Sequence, residues 1–294
     1  MTKTNPWILA ARPKTLPAAI SPVLLGIAYA YHIGTTINVE TAGMTLFCTL
    51  LLQIASNFIN DYYDGVRGVD TEDRLGPTRV TSSGLLTPAA VKTGFMATLG
   101  LAFLIGLHLM SVGGLPIVLI GFASIFFAWA YTGGPFPLSQ HGLGEVAALI
   151  FFGPVAVWGT VWLQNQQADH MLAIVYGLGP GLISAGILAI NNLRDIESDS
   201  SSLKRTVAVK IGETAARKFT FFLITASLFI PIYFAVTHRS LQFLLPIIPY
   251  FLFWSNWKKI LVDPIDRSLN LALAKTGKFL LLYCICLSVA LVWK

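Results

Sequence analysis

The sequence predicts an all-α, polytopic membrane bundle of nine transmembrane helices with a cytoplasmic N-terminus. Three observations predict it: composition, the number of long apolar runs, and the placement of basic residues. Of 294 residues, 55% are hydrophobic and only 12% are charged, about half the charged share of a typical soluble domain. A mean hydropathy of +0.69 leaves too little polar surface to wrap a soluble globule. A cytosolic enzyme, a disordered chain and a disulfide-stapled secreted scaffold are excluded on those grounds.

An apolar helix needs about 20 residues to cross the hydrocarbon of a bilayer. Nine stretches qualify: 15–33, 41–58, 90–111, 114–131, 145–163, 171–190, 216–236, 241–257 and 276–293. Strand-like alternation is absent, and unpaired backbone groups are costly in lipid, so each stretch reads as a helix. The first follows the basic residues Lys3, Arg12 and Lys14. It is long and lacks a small-residue cleavage site, so it reads as a retained span rather than a signal peptide. The second carries Cys48 and ends at an acidic loop, and the third begins beyond that loop. Pro116, Pro154, Pro180 and Pro246 fall in the fourth, fifth, sixth and eighth stretches and read as tolerated kinks. Cys284 and Cys286 lie in the ninth, two residues apart and so on nearly opposite helix faces; neither a disulfide nor a zinc site follows. The whole chain, 1–294, reads as one integral-membrane domain.

Sorted by loop parity, 18 of the 20 Lys and Arg residues fall on one side, leaving only Arg239 and Lys294 on the other. The positive-inside rule makes the rich side cytoplasmic, with the C-terminus outside after nine crossings. The net charge of +6 is therefore a matter of topology, and nucleic acid is not an expected partner. It also helps attract anionic lipid or an anionic substrate.

The acids are concentrated. Loops 59–88 and 191–214, both on the basic side, hold nine of the 14: Asp61, Asp64, Asp70, Glu72 and Asp73, then Asp195, Glu197, Asp199 and Glu213. If the second helix continues past its apolar run, Asn57, Asn60, Asp61 and Asp64 share about 100° of its surface, and Asn191, Asp195 and Asp199 share about 80° of the sixth. Like charges so close disfavour one another unless a cation sits among them. Hard oxygen ligands at this density suit Mg²⁺, which fills its remaining positions with water and substrate phosphate. Arg67, Arg74 and Arg79 stand near the first cluster, and Arg194, Lys204 and Arg205 near the second. Carboxylates acting through metal, with cations acting directly, is an arrangement suited to a diphosphate. The two regions, about 57–88 and 191–214, read as two metal-binding arms, one from each half of a weak internal repeat.

The stretch Asn60-Asp61-Tyr62-Tyr63-Asp64-Gly65-Val66-Arg67-Gly68-Val69-Asp70 resembles the first aspartate-rich motif of the UbiA superfamily of intramembrane prenyltransferases. Asn191-Asn192-Leu193-Arg194-Asp195-Ile196-Glu197-Ser198-Asp199, followed by Lys204-Arg205-Thr206, resembles the second. The five residues between Asp64 and Asp70, together with Ala11–Leu16, Arg74–Arg79 and Tyr131–Pro135, are similar to the branch acting on 1,4-dihydroxy-2-naphthoate in menaquinone synthesis.

The resemblance implies a UbiA-like fold of nine helices over essentially the whole chain. It implies that Asn60, Asp64 and Asp70 form one arm and Asn191, Asp195 and Asp199 the other, with Mg²⁺ bridging them to a polyprenyl diphosphate. Asp61 sits beside the first arm as a ligand or a support for one. Arg67, Arg79, Lys204 and Arg205 are expected on the diphosphate. Asp64, Asp195 and Tyr131 are the expected catalytic residues. Arg12 and Lys14 are candidates for the carboxylate of the aromatic acid, with positive-inside anchoring the alternative. Tyr131 and Tyr62 would shape the aromatic pocket. The prenyl tail is expected in a groove among the helices, open to membrane lipid, whose walls include Gly177, Gly179, Gly181 and Gly186; close helix packing is the other reading of these glycines. Metal coordination would ease departure of diphosphate, the ring would attack the allylic cation, and loss of CO₂ would restore aromaticity. The expected location is the inner, cytoplasmic membrane with the site facing the cytoplasm. The same metal residues would serve 1,4-dihydroxy-6-naphthoate, 4-hydroxybenzoate or a porphyrin acid. A transporter is the rival from another class, but transport sites lie nearer the bilayer midplane.

Overall fold

In a computed structural model, which describes residues 5–68, 75–202 and 204–293, the chain is a bundle of helices. Helix α1 (Pro6–Ala11) is capped by Asn5, whose side chain accepts from the Trp7 amide, and a turn at Pro13–Thr15 leads into α2 (Pro17–His32). Asn38 caps α3 (Val39–Val66), which runs eight residues beyond its apolar stretch and so carries the first acidic cluster on helix. Thr87 caps the next helical run, α4 (Pro88–Ala130).

At 43 residues, α4 would be about 65 Å long if straight, roughly twice the hydrocarbon thickness. It is not straight. Gly114, at φ 65 and ψ −154, breaks it into two limbs. The rings of Phe103 and Phe122 lie 6.5 Å apart, although a straight helix would separate them by about 28 Å. The limbs therefore double back as a hairpin. Pro116 sits in the first turn of the second limb, where its missing N–H is harmless. It is a starter there rather than a kink.

Helix α5 (Leu138–His141) is a single turn. The fifth expected span is α6 (Gly144–Ile150), a wide turn through Pro154, and α7 (Ala156–Gln164). Asp169 caps α8 (His170–Arg194), and α9 (Ile196–Ser201) and α10 (Val207–Ile211) follow. The seventh stretch divides into α11 (Glu213–Ala226) and α12 (Phe229–Thr237). Pro231 cannot donate to the carbonyl four residues back, that of Ser227; the Tyr283 hydroxyl donates to it instead, at 2.9 Å. The eighth stretch is not one helix. It is a turn at Leu241–Leu244, then α13 (Ile247–Leu252) and α14 (Trp254–Val262), because Pro246 and Pro249 interrupt the hydrogen-bond ladder. The last helix, α15 (Leu269–Val292), starts seven residues before its expected boundary.

Among the described residues, six helices are long and apolar enough to cross a membrane: α3, α4, α6 with α7, α8, α11 with α12, and α15. Counting the two limbs of α4 separately, the remaining expected spans fall in the 16-residue α2 and the broken α13–α14 region. The most apolar window of α4 is only 17% buried. Its Leu104, Leu115, Leu119, Phe122 and Phe126 are exposed, an apolar surface larger than water tolerates and suited to lipid. The protein is thus a multi-pass membrane protein. Its main core surrounds α8, where Tyr29, Tyr176, Phe279 and Tyr283 are fully buried and Tyr176 stacks on Phe234.

Candidate active site

The extension of α3 presents Asn57, Asn60 and Asp64 to a cavity of about 390 Å³. Asn57 Nδ2 donates to the Ala11 carbonyl at 2.9 Å and to Thr15 Oγ1 at 3.0 Å, pinning the N-terminal segment to α3. Asn60 Oδ1 accepts from the Thr132 hydroxyl at 2.8 Å. Asp64 is buried and pairs with Arg79 Nη2 at 2.5 Å. Asp61, on the same stripe, turns away: its two oxygens accept from the amides of Val80 at 3.1 Å and Thr81 at 2.9 Å. It caps the turn that carries Arg79. That turn lies hard against α3, since a Cβ on Gly65 would sit 2.7 Å from Thr81 Cβ.

The second arm is the C-terminal end of α8. Asp195 closes that helix, and Asn191, Asn192, Asp195 and Asp199 all line the same cavity. Arg194 is 1% exposed and grips Asp195 with Nε at 2.7 Å and Nη2 at 2.5 Å, Nη2 also reaching Asn191 Oδ1 at 2.8 Å. Asn192 Nδ2 donates to Glu145 at 2.9 Å. Lys204 Nζ lies 3.5 Å from Asp199. Burial pushes the Asp199 carboxyl up to about 6; Lys204 opposes this, and the Asp195 and Asp64 carboxylates add to it. The two arms, 131 residues apart in sequence at Asp64 and Asp195, therefore meet at one end of one cavity.

Arg12, Lys14, Arg79, Tyr131 and Lys204 line this polar end with them. Arg12 adopts φ 50 and ψ 68 before a proline, a conformation uncommon for such a side chain; strain of this kind costs about 1–3 kcal/mol and clusters at functional sites. Deeper, the walls become apolar through Leu52, Cys48, Leu109, Met110, Ile117 and Leu163. From Asp64 to Cys48 is about 24 Å along α3. Two buried oxygens on this lining, Gln53 Oε1 and Ser184 Oγ, find no hydrogen-bond partner among the described residues.

Several expected residues lie elsewhere. Arg67 is exposed, donates to the carbonyls of Thr132 and Gly134 at 2.7 and 3.0 Å, and lies over the Tyr63 ring; it ties α3 to the end of α4. Arg205 is exposed, with its amide on the Gln140 carbonyl. Tyr62 packs against Tyr63 and Phe95. None of these, nor Asp61, lines the cavity. Asp70 and Arg74 fall outside the described residues. The α8 glycines make packing contacts: Gly177 meets Pro154, Gly179 meets Tyr283, Gly181 meets the Leu149 carbonyl and Gly186 meets Ile224. They are not walls of the groove. Arg194, which in sequence is only a cation near the second cluster, is engaged by Asp195 and Asn191 of that cluster. Glu145, Gln53 and Asn270 carried no sequence signal; none of them belongs to either acidic motif.

The donor set fits Mg²⁺: carboxylate and amide oxygens from Asn60, Asp64, Asn191, Asp195 and Asp199 around one polar pocket. Among the described residues no three His, Cys, Asp or Glu converge to hold an ion unaided.

The model of the UbiA prenyltransferase family matches residues 19–292. A 1,4-dihydroxy-2-naphthoate octaprenyltransferase of Mycobacterium tuberculosis is 40% identical over 211 residues, 72% of this chain and 71% of its own. Its counterpart from Haemophilus influenzae is 33% identical over 270 residues, 90% and 83% of the two chains. That from Escherichia coli is 37% identical over 234 residues, 78% and 75%. Among solved structures, a UbiA homolog from Archaeoglobus fulgidus bound to GPP and Mg²⁺ superposes with a TM-score of 0.67 at 17% identity, covering 97% of this chain and 99% of that one. An apo UbiA homolog from Aeropyrum pernix gives 0.66, also at 17% identity, over 88% and 94%.

Proposed function

The chain belongs to the UbiA prenyltransferase family, and from that premise we propose that it transfers a polyprenyl group from an allylic diphosphate to 1,4-dihydroxy-2-naphthoate, with loss of CO₂, giving the demethylated quinol of menaquinone synthesis. The carrying observation is a single cavity with two acidic arms at one end and an apolar shaft behind them, in a chain similar over most of its length to enzymes named for this reaction.

Asp64, Asp195 and Asp199, with Asn60 and Asn191, would hold Mg²⁺, which when bound supplies Lewis-acid stabilisation of the departing diphosphate. Arg79 and Lys204 add positive charge beside the leaving group, where a site shielded from water makes each charge count for more. Arg194 keeps both oxygens of Asp195 in a fixed plane. The shaft from Leu52 to Ile117 takes the tail and excludes water from the allylic cation. The carbon–oxygen bond breaks with its electron pair leaving on diphosphate, and the ring supplies the pair for the new carbon–carbon bond. The pair from the carboxylate bond returns to the ring as CO₂ departs, so no base is needed. Arg12 and Lys14 face the carboxylate before it is lost, while Tyr131 forms one wall. Asp61 acts as support for the turn carrying Arg79.

We place the Asp64 end of the bundle in the cytoplasm and the protein in the inner membrane, with nine crossings; the loop asymmetry of Lys and Arg supports this. The test is product analysis by mass spectrometry, with purified protein, Mg²⁺, a polyprenyl diphosphate and a panel of aromatic acids. Prenylated, decarboxylated product from 1,4-dihydroxy-2-naphthoate is expected. Product from 4-hydroxybenzoate alone would overturn the acceptor.

A further inference from the structure

Between the two arms runs a relay of hydrogen bonds through a residue that touches neither the cavity nor either acidic cluster. Asn270 lies in the first turn of α15 and is half-buried. Its Oδ1 accepts from Arg194 Nη1 at 2.8 Å, and its Nδ2 donates to the Leu75 carbonyl at 2.8 Å. The orientation of the amide follows from its partners, since a guanidinium only donates and a backbone carbonyl only accepts. On one side, Arg194 holds Asp195 and Asn191 of the second arm. On the other, Leu75 begins the segment that leads to Arg79, which pairs with Asp64, and to Val80 and Thr81, which Asp61 holds.

Segment 75–81 is thus pinned to the first arm by Asp61 and to the second by Asn270. We propose that Asn270 is the positioning residue that makes the two arms one diphosphate-binding unit, fixing Arg194 and the Arg79 segment relative to each other. The inference rests on the prenyl-diphosphate reading above and adds to it a residue outside the cavity. The chemistry is specific to an amide. An aspartate keeps the acceptor toward Arg194 and loses the donor toward Leu75; an alanine loses both and leaves one guanidinium nitrogen of a buried arginine unpaired.

Mg²⁺-pyrophosphate binding to the purified full chain, followed by isothermal titration calorimetry, tests this without requiring turnover. Asn270→Ala is expected to weaken binding about 10-fold or more, the loss of a hydrogen bond to a charged group. Asn270→Asp is expected to weaken it less, and it provides a folded comparison if the alanine variant does not accumulate. In turnover, the KM for the polyprenyl diphosphate should rise in both while that for the aromatic acid holds. A merely structural role would lower the active fraction and leave both KM values and the calorimetric affinity unchanged, and that result, or wild-type affinity in both variants, overturns the proposal. Failure of the wild-type chain to bind Mg²⁺-pyrophosphate would instead overturn the prenyl-diphosphate reading itself, and the role of Asn270 with it.

Discussion

Arg194 holds both carboxylate oxygens of its sequence neighbour Asp195, at 2.7 and 2.5 Å, with the guanidinium almost wholly buried. A buried fork of this kind fixes a carboxylate's plane, and lysine cannot reproduce it. Arg194→Lys should therefore lower kcat/KM for the polyprenyl diphosphate by about 10- to 100-fold, as one to two lost charge-assisted hydrogen bonds imply. Arg194→Ala should also cost about 3–5 kcal/mol of stability, because Asp195 is left buried without its partner. Thermal unfolding and steady-state kinetics check the pair. Near-normal kinetics in Arg194→Lys would mean that the fork does not position the arm.

Asp61 and Asp64 are three residues apart on one helix face, yet only Asp64 lines the cavity. Asp61→Asn should loosen the turn at Val80–Thr81, at a cost of about 1–3 kcal/mol for one unsatisfied buried amide. Its Mg²⁺ requirement should change far less than that of Asp64→Asn. Titrating activity against Mg²⁺ in both variants decides the matter; equal shifts would make Asp61 a ligand.

Arg12 turns the chain at positive φ and faces the polar end of the cavity. Arg12→Ala should raise the KM for the aromatic acid with little change in kcat, the signature of lost uniform binding. An unchanged KM would return Arg12 to anchoring the membrane surface.

Much of this was legible in the sequence, and the remainder has physical reasons. Apolar runs located the helices because lipid demands them, and the carboxylates at helix ends located the arms because charge is excluded from the hydrocarbon. Where the runs held Pro246 and Pro249, run length overstated helix, and one span became short pieces. Side-chain direction was less readable. Arg67, Arg194 and Arg205 look alike as basic residues beside acids, but the fold sends the first to loop carbonyls, holds the second between its neighbour Asp195 and the distant Asn270, and leaves the third at the surface. Asn270 belongs to no local pattern, since both its partners come from distant segments. The α8 glycines permit groove or packing equally in sequence, and only the approach of Pro154, Tyr283 and Ile224 distinguishes them.

Tyr283 and Pro231 offer a test of the packing alone. Tyr283→Phe should remove the 2.9 Å bond to the Ser227 carbonyl, which keeps only the longer 3.3 Å bond from the Ile230 amide, and lower stability by about 1 kcal/mol. Adding Pro231→Ala restores an N–H that can close the helical bond to Ser227, and should recover part of the loss. Melting temperatures of the single and double variants measure it; additive losses would contradict the assignment.

Topology is tested by labelling with a membrane-impermeant maleimide. Ser83→Cys, at the Asp64 end, should react only in inverted vesicles, and Gln167→Cys, at the opposite end, only in intact cells. The native Cys48, Cys284 and Cys286 lie within helices and should add little background. Labelling of both positions from one side would contradict the arrangement.

The most direct measurement is Mg²⁺-dependent formation of prenylated naphthoquinol by purified Asp64→Ala and Asp195→Ala proteins, each shown by its melting curve to be folded. If the two carboxylates share one metal-bound diphosphate, each substitution alone abolishes turnover, as chelation of Mg²⁺ does in the unaltered protein. Near-normal turnover in either variant would contradict that account.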